Sequence, residues 1–236
     1  FRLNINYLIV FLELVLKGVL FHNIGGRVYA CYKGLLISVQ SVEAAGPMAE
    51  LPMYRKMYRL FDYAGRRVLD VGGYCGETAA LFHKWGASWV EVYEPSELYR
   101  NVEVTLALNK VQGVVHPFFV DDENNALSGC RRKKSWVQIL LEGRFDIAKV
   151  DCEGCENGLT RLDDDVLRRV PYWVIECHGA DVFMRVGAKF CGAGFEVTYR
   201  PYLWMASYAL LGSDRLFNAR GKVPDGLVIM VARLKG

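Results

Sequence analysis

No apolar run in this 236-residue chain is long enough to cross a membrane. The most apolar stretch, Tyr7 to Phe21, is interrupted by Glu13, Lys17 and Gly18 and falls short of the roughly 20 residues that a bilayer core requires. It reads as a packed helix, with a homodimer contact as a further use, and stable membrane insertion is not expected. The basic first region and small-residue cleavage site of a secretory signal are also missing. Nor is a secreted disulfide framework expected: seven cysteines are an odd number, spread along a chain large enough to build its own core. An intracellular, cytoplasmic protein is the expectation.

Positive charge is scarce as well. Twenty-nine Lys and Arg against 26 Asp and Glu leave a net charge of +3, short of the dense field of a dedicated nucleic-acid binder. The single basic run, Arg131 to Lys134, reads as a solvated loop. No internal repeat or low-complexity linker divides the chain, so one globular domain with one substantial core is the default.

What the chain does contain is alternation. RVYACYKGLLISVQS places β-branched and aromatic residues on either side of Lys33-Gly34, which predicts a two-stranded hairpin. Residues 1–55 therefore read as an N-terminal helix and hairpin cap, and residues 56–236 as the main domain. From Arg67 onward, strand-like runs (RVLDV, WVEVYEP, VVHPFFV, FDIAKVD, YWVIECH) alternate with helical patterns, including one from Asn157 to Val170. FEVTYR and GLVIMVARL then supply the last strands. This order predicts a doubly wound α/β fold.

Such sheets bind ligands beyond the carboxyl ends of their strands. The first strand ends in Asp70-Val71-Gly72-Gly73-Tyr74-Cys75-Gly76, where glycines allow a tight turn and close backbone approach. A dinucleotide fingerprint would need glycine where Val71 stands, and a carboxylate at Asp70 would repel a pyrophosphate. The same carboxylate would favour the sulfonium and amino groups of S-adenosylmethionine. The next strand ends in Glu94-Pro95, where an acid can accept ribose hydroxyls. Asp121, after the third strand, is a candidate partner for the adenine amino group. Gly72, Gly73, Tyr74, Gly76, Glu94, Pro95 and Asp121 join Asp70 as the expected cofactor-binding residues.

With these residues stated, the chain resembles the FkbM family of methyltransferases over roughly residues 65–200. VLDVGGYCGETA resembles its first motif, VEVYEPSELYRNVEVTLALNKV its second and FDIAKVDCEGCE its fourth, while YWVIECHG and FCGAGFEV resemble its tail. The resemblance implies a Rossmann-like class I methyltransferase fold with a mostly parallel seven-stranded sheet and helices on both faces. It also implies S-adenosylmethionine bound at Asp70, Gly72, Gly76 and Glu94, and methyl transfer to a hydroxyl of a sugar or small metabolite.

Methyl transfer needs an aligned acceptor and a way to remove its proton. His178, whose unperturbed pKa lies near neutrality, is the candidate general base. Asp151 and Glu153 are candidates to position the acceptor, and with Glu176 they could hold a divalent cation, although no metal is predicted. Cys152 and Cys155 form a C-x-x-C whose use for zinc or redox chemistry is less favoured than two buried structural thiols. Tyr199, Tyr202, Trp204 and Tyr208 could cover an acceptor. The competing readings are an RNA methyltransferase, an NAD-dependent oxidoreductase and a Rossmann-like binding module without catalysis.

Overall fold

The computed structural model describes residues 15–16, 18–39, 48, 51–120, 132–201 and 227–236. Asp121, Tyr202, Trp204, Tyr208 and most of the expected N-terminal helix lie outside these residues. Where that helix should end, the chain is already a strand. Gly18 adopts a left-handed φ of +82°, and β1 (Val19–Ile24) pairs antiparallel with β2 (Arg27–Tyr32), which pairs with β3 (Leu35–Val39). A residue beyond +20° in φ cannot continue a right-handed helix, and Val19, Leu20 and Phe21 suit a pleated surface. The predicted hairpin thus forms two strands, β2 and β3, of a three-stranded sheet.

Helix α1 (Leu51–Tyr58) follows and spans the expected boundary at residue 55. The main sheet contains β4 (Arg67–Val71), β5 (Trp89–Tyr93), β6 (Gly113–His116), β9 (Ile147–Val150), β10 (Tyr172–His178), β11 (Phe195–Pro201) and β12 (Leu227–Leu234). Its order is β11-β12-β10-β9-β4-β5-β6, and β12 runs antiparallel between β10 and β11. The chain leaves β4 toward β5 and β6, then returns to place β9 on the other side of β4. That reversal opens a crevice beyond the carboxyl ends of β4 and β9.

Proline and extended residues cut two predicted elements short. VVHPFFV divides at Pro117 into β6 and a short β7 (Phe119–Val120), since proline has no backbone N–H to donate to a ladder. Strand β7 pairs with β8 (Lys133–Lys134), so half of the basic run is a strand rather than a solvated loop, and Lys134 Nζ lies 2.7 Å from Glu142. The helix expected from Asn157 to Val170 breaks at Leu162, whose backbone is extended. A 3-10 helix (Cys155–Arg161) precedes the break and α5 (Asp164–Leu167) follows it.

The sheet separates two apolar layers. One face packs against the N-terminal sheet, α1, α2 (Glu77–Lys84) and α3 (Tyr99–Leu108): Ile37, Tyr58 and Phe82 share a cluster with Val68, Val92, Ile147 and Val174. The other packs against α4 (Trp136–Glu142), α5 and α6 (Ala180–Gly192), where Trp136, Leu167 and Phe190 meet Leu69, Ala148 and Trp173. Strand residues alternate between the layers as a period of two requires. Among the described residues, no helix is long and apolar enough to cross a membrane.

Candidate functional site

Alternation also decides which polar side chains meet. Asp70 on β4, Lys149 on β9, and Glu176 and His178 on β10 all point to the α1 face, and Asp151 continues that face past the end of β9. Asp70 and Lys149 are direct partners in the parallel ladder. Their side chains are 0% and 2% exposed, with Lys149 Nζ 3.1 Å from Asp70 Oδ1 and 3.7 Å from Asp151 Oδ2. Lys149 also donates to the Gly72 carbonyl at 2.6 Å, and Thr78 donates to Asp70 Oδ2 at 2.6 Å. Burial by itself would lower the Lys149 pKa, but Asp70, Asp151 and Glu77 outweigh it and hold the ammonium above the ordinary lysine value. Asp70 therefore faces a buried cation and does not line the crevice.

The crevice is a cavity of about 570 Å³. Of the expected residues, Gly72, Tyr74, Glu94, Pro95, Asp151, Glu153 and His178 line it, joined by Glu176 and by Lys149, Tyr54 and Thr78, which sequence reasoning missed. Gly73 and Gly76 stand behind it, shaping the turn. At Gly72 a Cβ would lie 1.6 Å from the Asp151 carbonyl oxygen, so the two strand ends can approach only because this residue has none. Glu94 is clasped by its own loop: Oε2 accepts from the Tyr74 amide at 2.8 Å, and Oε1 from the Ser96 amide and hydroxyl at 3.0 and 2.6 Å. A carboxylate offers about four acceptor positions, so roughly one remains on Oε2 for a ligand hydroxyl, where the sequence suggested two. Phe118, Phe119 and Val120 form an apolar wall.

At the start of α2 the Cys75 amide donates to the Glu77 carboxylate at 3.0 Å. Burial pushes the Glu77 carboxyl up to about 8, with Asp70 adding to the shift and Lys149 opposing it. A carboxyl raised above its unfolded value near 4.5 adds stability below that pH and loses it as pH rises through about 8. Glu77→Gln is expected to remove this dependence, flattening the fall in urea midpoint between pH 5 and 8. The contribution at stake is at most about 5 kcal/mol.

Across the cavity, His178 Nδ1 lies 3.1 Å from Glu156 Oε1, and its Nε2 lies 3.9 Å from Asp151 and 4.0 Å from Glu176. Glu156, 0% exposed, also accepts the Gly154 amide at 2.7 Å. Burial lowers the His178 pKa, but Glu156, Asp151 and Glu176 raise it further, for a net upward shift. Burial raises Glu156, and His178 with nearby amides brings it below the usual carboxylate range. Tyr58 donates toward Glu176 at 3.3 Å and Asp151 at 3.5 Å, and sequence reasoning had no reason to place α1 here. One ligand atom each from Asp151, Glu176 and His178 lies within 4.8 Å of the others, close enough to share a cation. The C-x-x-C, read as two thiols, is instead a disulfide, Cys152–Cys155, in the cavity wall. Cys177 points to the opposite face of β10, and burial pushes its thiol up to about 12.

Five acidic residues line the cavity, Glu77, Glu94, Asp151, Glu153 and Glu176, against the single ammonium of Lys149 and the imidazole of His178. That balance suits a ligand with positive charge and disfavours a pyrophosphate.

No family model matches this chain. It is 27% identical over 128 residues to Uncharacterized protein 65 of Sulfolobus islandicus filamentous virus, covering 53% of this chain and 67% of the viral protein. Among solved structures it is similar to M. jannaschii TYW2 in complex with AdoMet, with a TM-score of 0.53, 11% identity, and 90% and 87% of the two chains covered. It is also similar to an S-adenosylmethionine-dependent methyltransferase from Mesorhizobium loti, with a TM-score of 0.50, 13% identity, and 78% and 97% covered. The fold is the Rossmann-like methyltransferase fold.

Proposed function

We propose that this protein is an S-adenosylmethionine-dependent methyltransferase of the FkbM type, acting on a hydroxyl of a sugar or small metabolite. The observation that carries this reading is the acidic cavity at the switch point, with Glu94 on one side and the Glu156–His178 pair on the other.

The residues fit the donor chemically. Glu94 would accept a ribose hydroxyl, Phe118, Phe119 and Val120 would cover the adenine, and the carboxylates would balance the sulfonium and amino charges. S-adenosylmethionine supplies an electrophilic methyl group with its leaving group built in. Asp70 acts indirectly, by holding Lys149 against the Gly72 carbonyl and so fixing the glycine turn.

His178 takes the acceptor proton on Nε2, while Glu156 fixes the ring through Nδ1 and stabilises the imidazolium. Asp151, Glu176 and Tyr58 align the acceptor hydroxyl beside it. Calorimetric titration tests the donor: S-adenosylmethionine and S-adenosylhomocysteine should bind at micromolar levels, about 8 kcal/mol. Binding of NAD alone, or of none of the three, would sink the reading.

His178→Ala should leave that titration unchanged and slow transfer by about 10²–10⁴-fold. A base must be deprotonated to act, and the carboxylates at 156, 151 and 176 raise this histidine. The wild-type rate should therefore fall with acidification from a pH above 6.5, the ordinary histidine value. Chelators should not affect it; inhibition by EDTA would give Asp151, Glu176 and His178 to a cation instead.

A further inference from the structure

A second groove lies on the other side of α1. Its volume is about 240 Å³, and Lys33, Arg55, Arg59 and Lys84 surround a floor that includes Tyr32 and the half-buried Trp85. Among the described residues no carboxylate lines it. The four cations come from three separate places in the fold: the β2–β3 turn, the last turn of α1 with the residue after it, and the end of α2. Among the described residues none of the four has an ion-pair partner, although the whole chain carries a net charge of only +3. The Arg59 guanidinium sits 6.0 Å from the Trp85 ring centre. Lys84 donates to the Lys33 carbonyl, which ties the hairpin turn to α2.

Helix ends explain only part of this charge. The carboxyl ends of α1 and α2 both reach the groove, and each contributes roughly half a negative charge. Together they offset about one of the four cations and leave about three uncompensated. Arg55, in the last turn of α1, and Arg59, just past its end, are held one turn apart, the Arg59 amide donating to the Arg55 carbonyl at 3.3 Å, a spacing at which like charges repel. A site that gathers like charges at such a cost is suited to a polyanion.

The details favour one polyanion. Guanidinium forks match phosphate oxygens, and an aromatic floor beneath cations is how sequence-tolerant sites hold unpaired bases. An anionic membrane would need apolar side chains free to insert, yet the aliphatic residues here, Leu51 and Leu81, are buried. We propose that this groove docks single-stranded nucleic acid, its phosphates on Arg55, Arg59, Lys33 and Lys84 and a base against Trp85. Helix α1 presents Tyr54 and Tyr58 to the cavity and Arg55 to the groove, with Arg59 just past its end, so cavity and groove flank one helix. Binding of the nucleic acid does not rest on the methyltransferase reading.

The test is fluorescence anisotropy with a labelled oligouridylate of about 12 nucleotides, within the span of known single-strand sites, alongside vesicles of anionic lipid. Binding should weaken as salt rises, with a logarithmic slope of about −2 to −3 for three or four phosphate contacts. Arg55→Glu/Arg59→Glu should lose at least about tenfold in affinity and flatten the slope by about 1.4. Lys33→Glu, on a different element, should weaken binding in the same direction. All three variant positions are exposed, and unchanged melting temperatures would show that the variants fold. Absence of oligonucleotide binding, equal affinity in both variants, or binding to vesicles alone would overturn the proposal. Titration with S-adenosylmethionine on the same samples separates the two readings: its failure with oligonucleotide binding intact removes the methyltransferase reading and leaves the groove.

Discussion

Replacing Lys149 by methionine is expected to cost roughly 3–5 kcal/mol of stability, because it strands a buried carboxylate. Asp70 is fully buried, and its closest cation would be gone. Burial already pushes its carboxyl up and Lys149 opposes that shift, so the variant's Asp70 would take up a proton. A carboxyl with a raised folded pKa adds stability only at low pH and loses it as pH rises. The deficit should therefore be larger at pH 8 than at pH 5 in urea unfolding. The double variant Asp70→Asn/Lys149→Met should recover much of the loss, since neither charge is then left alone. Equal deficits at both pH values, or no recovery, would show that the pair is not what holds these strand ends.

Gly72→Ala is expected to have the largest effect at the site itself. The added carbon would overlap the Asp151 carbonyl oxygen at 1.6 Å, and the backbone already sits at a φ of +81°. Both residues are pinned at strand ends, the Gly72 amide donating to the Tyr93 carbonyl and the Asp151 amide to the Val71 carbonyl at 2.9 Å each, and the clash is with backbone, so no side chain can swing aside. The turn must open, carrying with it the Gly72 carbonyl that Lys149 holds and the Asp151 that faces His178. S-adenosylmethionine binding should be lost, and the melting temperature should fall by at least about 8 °C, the shift expected for 2–4 kcal/mol or more in a chain of this size. Gly192→Ala is the matched control. It lies within α6 with nothing within 4 Å of the added carbon, so it should be neutral or stabilising by up to about 1 kcal/mol. A Gly72→Ala protein that binds the donor normally would refute the close-approach argument.

The contrast between these two residues shows where sequence reasoning succeeds. Gly72 was identifiable because a glycine-rich turn after an apolar strand, followed by a helical pattern, is a local signal. Glu94 was identifiable for the same reason, at the end of the next strand. Lys149 was not, because a lysine inside IAKV reads as an interruption until its partner is known. Asp70 reads from the sequence as an acid facing a ligand, and only the ladder shows that Lys149 is its neighbour. Tyr58 was invisible, since nothing local says that α1 folds over the strand ends.

The sequence alone therefore determined what short-range physics determines: the alternation of strands and helices, the turns that require glycine, and the acids at strand ends. Those follow from backbone geometry and side-chain period, which act over a few residues. Only the tertiary structure decided which charge neutralises which. It joined Cys152 to Cys155, turned His178 toward Glu156, and brought four cations from three places in the fold onto one groove. Those outcomes depend on strand order and register, which set distances between residues remote in the chain, and an electrostatic interaction is decided by distance and burial.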